Sequence, residues 1–391
     1  MKTKTLLMVF ALFAAMLAFT ACGNGGDTPA PPAPAETAPA APAAPGGTTP
    51  DTPAAEPAAT GASTIGVSMP TRALQRWNQD GENLQAMLQA VGMIVDLQFA
   101  NNEVPTQVNQ IENMIGAGVD ILVIAAIDGE ALTEVLATAE AAGIPVIAYD
   151  RLIMNTTAVS YYATFDNWLV GEMQGQFIVD ELDLNNQDGP FYIEFFTGDP
   201  GDNNIHFFFP GAMSVLQPFL DDGTLVSLSG QTEIMQVATP GWSTEAAQSR
   251  MENLISMNNY SPTGQRLDAV MASNDSTAQG VTNALVNAGF TADNFPVITG
   301  QDCDIISVRN MVAGLQAMSV FKDTRILADS VVEMVLAIAE GRQVPINNTT
   351  DYDNGTGIIP TFLSPPIVAT IANYRELLID SGYYTEDEIY G

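Results

Sequence analysis

The chain has 391 residues, with 45 acidic and 12 basic side chains and a formal net charge of -33. This charge argues against a nucleic-acid partner, because the phosphates would be repelled. The length exceeds what one hydrophobic core usually serves, so two domains are expected. The two cysteines are Cys22 and Cys303. Apart from Cys22 near the N-terminus there is only Cys303, so we expect no internal disulfide, and Cys303 is expected to be a small buried residue.

The N-terminus has the pattern of a secretory signal. Lys2 and Lys4 precede an apolar run from Leu6 to Phe19, which is too short to span a bilayer, and small residues lead into Cys22. This ending resembles the lipobox of bacterial lipoproteins, which implies cleavage before Cys22 and acylation of its thiol. The alternative is an ordinary signal peptide that is discarded together with Cys22. We predict a lipoprotein signal peptide over residues 1–21.

Residues 22–63 are predicted to be a linker. From residue 27 to residue 62 the composition is mainly Ala, Pro, Thr, Gly and Glu, with no aromatic residue and no apolar periodicity. Such a segment has little apolar surface to offset the entropy cost of ordering. We expect an extended tether that holds an extracytoplasmic module next to the cell membrane. A cleavable or glycosylated stalk would leave the module in the same place.

From residue 64 onward, short apolar runs alternate with helical periodicity. The predicted strands are Thr64–Met69, Ile94–Ala100, Ile121–Ala126, Val146–Tyr149, Val159–Ala163, Phe191–Phe196, Leu225–Leu228, Ala269–Ala272 and Val297–Thr299. The predicted helices are Arg76–Ala90, Thr106–Gly116, Gly129–Ala142, Trp168–Glu181, His206–Phe219, Thr244–Ile255, Thr277–Ala288 and Ile305–Val312, with Gly118 and Gly143 as stop signals. Alternating strands and helices, with continuous apolar strands, predict an α/β fold with two doubly wound, Rossmann-like halves.

Open parallel sheets bind ligands beyond the carboxyl ends of their strands. The polar and aromatic residues predicted there are Arg76, Trp77, Asp150, Arg151, Asp202, Asn204, Asn274, Asp275 and Asp302, and Trp242 follows Pro240 and Gly241. Any one of these Asp or Asn residues could simply cap a helix, but capping does not explain polar groups in both halves. Lys322, the one lysine after the leader, ends a strand-like run. It is either a site residue or a chance survivor in a lysine-poor composition.

At these positions the chain closely resembles a known family. The matching blocks are Val67–Thr71, Arg76–Trp77, Gln110–Met114, Ala148–Ile153, Tyr161–Asn167, Asp202–Asn204, Gly211–Leu216, Ser273–Asp275, Gly300–Asp302 and Phe321–Asp323. In this order they resemble the multiple-sugar-binding proteins related to the xylose-, ribose- and galactose/glucose-binding proteins of bacterial ABC importers. The resemblance covers residues 64–391. It implies a type I periplasmic-binding-protein fold with a three-segment hinge, an N-terminal lobe of residues 64–165 plus 321–355, and a C-terminal lobe of residues 166–320 plus 356–391.

The resemblance also implies the roles of individual residues. It assigns sugar-hydroxyl hydrogen bonds to Arg76, Asp150, Arg151, Asn204, Asn274, Asp275, Asp302 and Lys322, and stacking to Trp77 and Trp242. Carboxylates, amides and guanidinium groups suit hydroxyls that both donate and accept, and the C–H faces of a pyranose pack on aromatic rings. For either tryptophan, plain core packing is the alternative.

Two segments depart from the family pattern. Residues 183–189 lie where galactose/glucose-binding proteins carry a calcium loop, but the glycine is one residue late and no bidentate glutamate follows, so we predict a surface turn and no metal. His206 and Phe207–Phe209 stand where some relatives have a sugar-contacting arginine. The ligand specificity of that wall is therefore left open, and the alternative is that one of these phenylalanines lines the pocket.

The function implied by the resemblance is capture of a monosaccharide and delivery to an ABC permease. The expected ligand is an aldose such as xylose, glucose, galactose or arabinose, bound by a monomer without cofactor or catalysis. The alternatives are a receptor that signals to a chemoreceptor or sensor kinase, and a glycoside-processing enzyme that uses paired carboxylates. The sequence carries no phosphate-binding loop, nucleophile elbow or His/Cys zinc cluster that would favour an enzyme.

Overall fold

The structure is a computed structural model that describes residues 62–391. The predicted signal peptide, the predicted lipidation site at Cys22 and nearly all of the linker lie outside the described residues. Among residues 62–391, no helix has the length and apolar character needed to cross a bilayer.

The described chain alternates strands and helices along most of its length. The strands are β1 (Thr64–Met69), β2 (Ile94–Phe99), β3 (Ile121–Ile124), β4 (Val146–Tyr149), β5 (Val159–Phe165), β6 (Phe191–Phe196), β7 (Leu225–Val226), β8 (Ala269–Ala272), β9 (Val297–Ile298), β10 (Met318–Phe321), β11 (Thr361–Ser364) and β12 (Ile367–Thr370). The α-helices are α1 (Gln75–Ala90), α2 (Val104–Ala117), α3 (Thr133–Ala141), α4 (Asn167–Glu181), α5 (Ile205–Asp221), α6 (Ile234–Val237), α7 (Thr244–Asn258), α8 (Asp275–Asn287), α9 (Ile305–Val312), α10 (Thr324–Ala339) and α11 (Glu386–Tyr390). Pro240–Trp242 is a 3₁₀ turn and Arg375–Asp380 is a π-helical turn.

The predicted elements agree with these bounds except at their ends. Gly118 ends α2 with φ 78°, in the left-handed conformation that a glycine adopts without steric cost. The predicted start of the third helix at Gly129 is wrong, because α3 begins at Thr133. Residues 128–132 form a loop instead, in which Asp128 Oδ1 accepts a hydrogen bond from the Glu130 amide.

The first half of the molecule is built on a six-stranded sheet with the order β11-β5-β4-β3-β1-β2. All its strand pairs are parallel. Helices α1 and α10 cover one face, where Leu84 and Val331 join the buried core. Helices α2 and α3 cover the other face through Ile111 and Leu136. Burial on both faces explains why the inner strands β3 and β4 are continuously apolar.

The second half is built on a four-stranded parallel sheet with the order β7-β6-β8-β9. Helices α4 and α5 pack on one face and α7 and α8 on the other. An antiparallel pair, β10 and β12, extends this half beside β9 through a bridge between Gln301 and Val320. The type I periplasmic-binding-protein fold expected from the resemblance is therefore confirmed.

The chain passes between the two halves from β5 to α4, from β10 to α10, and from β11 to β12. The predicted lobe boundary after residue 355 needs correction. Strand β11 pairs with β5, with Thr361 opposite Tyr162, so Thr361–Ser364 belongs to the first sheet. The third passage therefore falls between Ser364 and Ile367. The other lobe boundaries stay a prediction.

Glycines let α4 and α5 pack closely in the second half. A Cβ atom on Gly171 would lie 2.0 Å from the carbonyl oxygen of Phe208, and one on Gly211 would lie 2.4 Å from the carbonyl oxygen of Trp168. This contact fixes the position of the N-terminal end of α5, which directly follows Asn204 and carries Phe208.

We predict that Gly171→Ala lowers the free energy of unfolding by about 1–3 kcal/mol, because the added methyl group forces α4 and α5 apart. Gly116→Ala is the matched control, since Gly116 also lies in a helix and its added Cβ would meet no atom within 4 Å. The control should raise the free energy of unfolding by about 0.5–1 kcal/mol. Urea denaturation of both variants measures these changes. Equal stability of the two variants would contradict the close α4–α5 packing.

Candidate functional site

A cavity lies where the carboxyl ends of strands from both halves face each other. Its empty volume is ≈ 390 Å³, including its opening to solvent. Nine of the ten predicted ligand-binding residues line the cavity: Arg76, Trp77, Asp150, Arg151, Asn204, Trp242, Asn274, Asp302 and Lys322.

Asp275, the tenth predicted residue, does not line the cavity. Its Oδ1 accepts hydrogen bonds from Gln316 Nε2 (3.0 Å) and Ser319 Oγ (2.9 Å), and its Oδ2 accepts one from the Asp304 amide (2.8 Å). Burial and the nearby carboxylates of Asp304 and Asp302 raise its pKa well above the ordinary value. The assignment of Asp275 to the ligand is therefore corrected: its carboxyl group joins α8 to β10 and to the start of α9.

Arg76 is the centre of a buried network of charges. Its guanidinium contacts Asp80 (Nε–Oδ2, 2.9 Å), Asp150 (Nη2–Oδ2, 2.9 Å) and Asp302 (Nη1–Oδ1, 3.1 Å). Burial opposes the charge of Arg76, but the three carboxylates prevail and raise its pKa well above the ordinary value. Asp80 and Asp150 belong to the first half and Asp302 to the second. One side chain thus binds carboxylates from both halves.

Asp150 follows β4 with φ 58°, a left-handed conformation that an aspartate adopts at low cost. Its carbonyl oxygen accepts hydrogen bonds from Tyr162 Oη (2.6 Å), Thr164 Oγ1 (2.9 Å) and Asn204 Nδ2 (2.9 Å). These bonds hold the turn, so the carboxylate points to Arg76. Burial would raise the pKa of Asp150, but Arg76, Lys322 and Arg151 outweigh it and lower the pKa below the ordinary value.

Lys322 lies at the passage from β10 to α10 and is 2% exposed. Its Nζ atom is 3.0 Å from Asp302 Oδ1 and 3.9 Å from Asp150 Oδ2. Phe165 belongs to the first half and Phe208 to the second. Their ring centroids lie 5.8 and 5.6 Å from Nζ. Burial and two carboxylate partners distinguish Lys322 from an indifferent surface cation, and its role in ligand binding stays a prediction.

A second ion pair joins the halves on the other side of the cavity. Arg151 Nε is 2.8 Å from Asp202 Oδ2, although the N–H direction does not make this contact a hydrogen bond. Trp242 Nε1 donates to the same oxygen at 3.1 Å. Burial raises the pKa of Asp202, and the attraction of Arg151 limits this effect.

The two predicted stacking tryptophans occupy the cavity wall from opposite halves. Trp77 lies beside the guanidinium groups of Arg76 and Arg151, at 4.8 and 5.0 Å from its ring centroid. Trp242 has φ 54° and its ring covers Gly198, where a Cβ atom would fall 1.9 Å from the ring. Trp77 and Trp242 are buried but line the cavity, so core packing alone does not describe them.

Six further lining residues are not among the ten that were predicted to bind the ligand. They are Leu74, Asp202, Phe208, Ser276, Gln301 and Asp304. Asp202 lies inside a block that carries the family resemblance, and Phe208 belongs to the aromatic run whose role was open. His206 lines a separate surface cavity with Asp128 and Glu130. Gln301 directly precedes the predicted Asp302 and lies inside a block that carries the family resemblance. Asp304 lies two residues after Asp302, where its position before a helix does not distinguish a ligand-binding residue from a helix cap.

The predicted surface turn at residues 183–189 has no arrangement typical of a calcium loop. Asn186 Nδ2 and Gln187 Nε2 both donate hydrogen bonds to the Asp183 carboxylate. Within residues 62–391, no group of three or more His, Cys, Asp or Glu side chains is placed to hold a metal ion.

Residues 65–343 match the family model described as the periplasmic binding protein domain. The chain belongs to this family. The multiple sugar-binding periplasmic receptor ChvE of Rhizobium radiobacter is 45% identical over 333 residues, which cover 85% of this chain and 93% of the relative. The D-xylose-binding periplasmic protein of Escherichia coli is 35% identical over 325 residues, covering 83% and 92%. The resemblance to sugar-binding proteins is confirmed by these relatives.

A solved structure extends the likeness to three dimensions. The ABC transporter solute-binding protein of Clostridium phytofermentans, with bound β-D-glucose, is 57% identical and has a TM-score of 0.81, covering 84% of this chain and 100% of that one. The carbohydrate transporter solute-binding protein of Chloroflexus aurantiacus, in complex with D-glucose, is 33% identical with a TM-score of 0.74, covering 83% and 97%.

We predict that Asp80 makes stability depend on pH. Burial raises the pKa of Asp80 from 3.8 to about 6, although Arg76 and Tyr149 stabilise its ionised form. The folded protein therefore holds this proton more tightly than the unfolded chain. The stabilisation is complete below about pH 4 and is lost as the pH rises through 6, a change of about 3 kcal/mol.

Asp80→Asn removes this dependence, and the other buried carboxyl groups titrate in both proteins. Between pH 4 and pH 7, the free energy of unfolding of the Asn variant should therefore rise by about 3 kcal/mol relative to the native protein. Urea denaturation at both pH values measures the difference. A difference that is the same at pH 4 and pH 7 would count against the raised pKa.

Proposed function

We propose that this protein is an extracytoplasmic solute-binding protein that captures a monosaccharide between its two halves and delivers it to an ABC importer. The observation that supports this most strongly is the convergence of polar groups from both halves on one compact cavity, with a tryptophan from each half in its wall. The ligand is an aldose such as glucose, xylose, galactose or arabinose.

The chemistry of the cavity suits a pyranose. Arg76 and Lys322 offer charged donors, and Asp150 and Asp302 offer carboxylate acceptors, so a hydroxyl on the ring can donate and accept at once. The Trp77 and Trp242 rings suit the C–H faces of the sugar. Because these groups come from both halves, a sugar binds fully only when the halves are closed.

The proposed mechanism is closure around the ligand. Contacts such as Arg76–Asp302, Arg151–Asp202 and Asn204 Nδ2 to the Asp150 carbonyl exist only when the halves meet. A sugar that bridges the halves adds further contacts of this kind, so binding shifts the population toward the closed form. The closed form is the state that the permease recognises.

Several observations favour binding over catalysis. A glycosidase needs one carboxylic acid with a raised pKa to protonate the leaving group. In the carboxylate pair that the sequence suggested for this chemistry, Asp150 has a lowered pKa, and Asp150 and Asp302 are both bound to Arg76. The relatives named above are binding proteins. One of them is a receptor, so signalling to a chemoreceptor or sensor kinase is a second output for the same closed form.

The test is a thermal-shift and calorimetry screen of the purified protein against D-glucose, D-xylose, D-galactose and L-arabinose. A sugar that binds only the folded state raises the melting temperature with concentration. We expect at least one of these aldoses to do so, and the sugar should be recovered intact after incubation. Absence of binding to every aldose would overturn the proposal.

Two variants test the site. Asp150→Asn and Lys322→Met should each weaken sugar binding by about 10-fold or more, because each removes a charged hydrogen-bonding partner. Both should reduce the ligand-induced change in fluorescence of Trp77 and Trp242. Asp329→Asn, which alters an exposed carboxylate on α10, is the control and should leave the titration unchanged. Native titration curves for both site variants would refute the assignment of these residues.

We also propose that Cys22 carries the lipid anchor. Cys22→Ser should move the protein from the membrane fraction to the soluble extracytoplasmic fraction and abolish incorporation of labelled fatty acid. Cys303→Ser is the control, because this thiol is buried in the folded module. Labelling that persists in the Cys22 variant would refute the anchor without affecting the sugar-binding proposal.

A further inference from the structure

The segment 301–304 crosses the wall of the cavity between β9 and α9. Two consecutive residues in it, Asp302 (φ 96°) and Cys303 (φ 55°), have left-handed backbone conformations. The segment is held by the Asp275 amide, which donates to the Gln301 carbonyl (3.0 Å), and by the Asp302 amide, which donates to Val320 (2.9 Å). Such conformations cost about 1–3 kcal/mol each and persist where the surrounding structure imposes them.

Gln301 is a buried side chain whose amide oxygen has no hydrogen-bond partner in the described chain. It is 2% exposed and lines the cavity. Its Oε1 atom is buried and accepts no hydrogen bond from the described chain. A buried amide oxygen without a partner is costly, so most buried amide oxygens in proteins are paired. Packing therefore does not explain a glutamine at this position.

Asp304 shows the same feature two residues later. It occupies the N-cap position of α9, but its side chain does not cap the helix. Its Oδ1 atom is buried without a hydrogen-bond partner in the described chain, and the residue lines the cavity. Burial, and then the charge of Asp302, raise the pKa of Asp304 to about 7, and the more distant cations Arg76 and Lys322 limit the rise. The capping explanation for this aspartate therefore fails.

We infer that Gln301 and Asp304 together bind one hydroxyl group of the sugar and make that hydroxyl a requirement for binding. This inference rests on the proposed function and adds two residues to the predicted binding set. Neither residue takes part in the Arg76 charge network through a hydrogen bond, so both are free to bind ligand.

A hydroxyl is the group that satisfies both side chains. It can donate its proton to Gln301 Oε1 while it accepts a hydrogen bond from the Asp304 carboxyl group, which is protonated below its pKa of about 7. A sugar without that hydroxyl leaves two buried polar groups unpaired, and sites built to bind a hydroxyl reject such analogues far more strongly than apolar pockets reject a missing methylene. We expect the discrimination to be at least about 100-fold.

The experiment measures the binding of each protein variant to each ligand analogue. Calorimetry measures the affinity of the native protein, Gln301→Met and Asp304→Ala for the tightest aldose of the screen and for its series of single-deoxy analogues. One analogue should bind the native protein at least about 100-fold more weakly. Both variants should bind the parent sugar at least about 10-fold more weakly. They should also lose most of the discrimination against that one analogue, because removing the residue and removing the hydroxyl abolish the same interaction.

Ser307→Ala is the matched control. Ser307 is 1% exposed and lies on α9, and its Oγ atom is also buried without a partner, but it does not line the cavity. It should leave affinity and discrimination unchanged. Without sugar, Gln301→Met should melt at or above the native temperature, because it replaces an unpaired buried amide by an apolar group of similar length. A fall in stability with unchanged affinity would indicate a structural role and overturn the inference.

The outcomes separate the two proposals. If the native protein binds no aldose, the proposed function fails. If the native protein binds an aldose but both variants keep the native pattern of discrimination against every analogue, only the role of Gln301 and Asp304 fails.

Discussion

The structure of the site depends on pairing charges that are removed from water. Arg76 is buried with Asp80, Asp150 and Asp302 around it, and Lys322 completes the network. The attraction within a buried ion pair offsets the cost of desolvation only when the geometry is good and the other polar atoms of the pair have hydrogen-bond partners. Here the partners come from both halves, so the network is complete only when the halves meet. The same requirement makes the cavity strongly polar, although most of its lining residues are buried.

Left-handed backbone conformations and one glycine position several residues that line the cavity. Asp150, Trp242 and Asp302 all have positive φ values, and all three line the cavity. Left-handed conformations of this kind cluster at functional sites, where the surrounding structure imposes them. Around Asp150, three side-chain hydrogen bonds to one carbonyl oxygen impose the turn. Under Trp242, Gly198 leaves the space that the ring occupies. The geometry of the site is therefore built into the fold.

The acidic residues of the site differ in pKa and in role because their partners differ. Asp150 has three cations near it and its pKa is lowered, whereas Asp80 and Asp202 have a raised pKa because burial outweighs their partners. Asp275 and Asp304 lie close to each other, but Asp275 receives hydrogen bonds from the protein and Asp304 Oδ1 receives none. The buried aspartates thus have three roles. Asp150 is an ion-pair partner, Asp275 accepts structural hydrogen bonds, and Asp304 has an oxygen atom in the cavity without a partner in the described chain.

The sequence predicted β1 to β9 and the longer helices up to α9, because apolar periodicity is local, but it did not predict α10, β11 or β12. Together with the family resemblance it also predicted ten ligand-binding residues, and nine of them line the cavity because the carboxyl ends of parallel strands share an edge. The tertiary structure decided what depends on distant neighbours. From the sequence, Asp275 could either cap a helix or bind the ligand, and only packing against Ser319 and Gln316 turned it away from the cavity. Likewise β11 joined the first sheet through pairing with β5, a contact between segments about two hundred residues apart that no local pattern encodes.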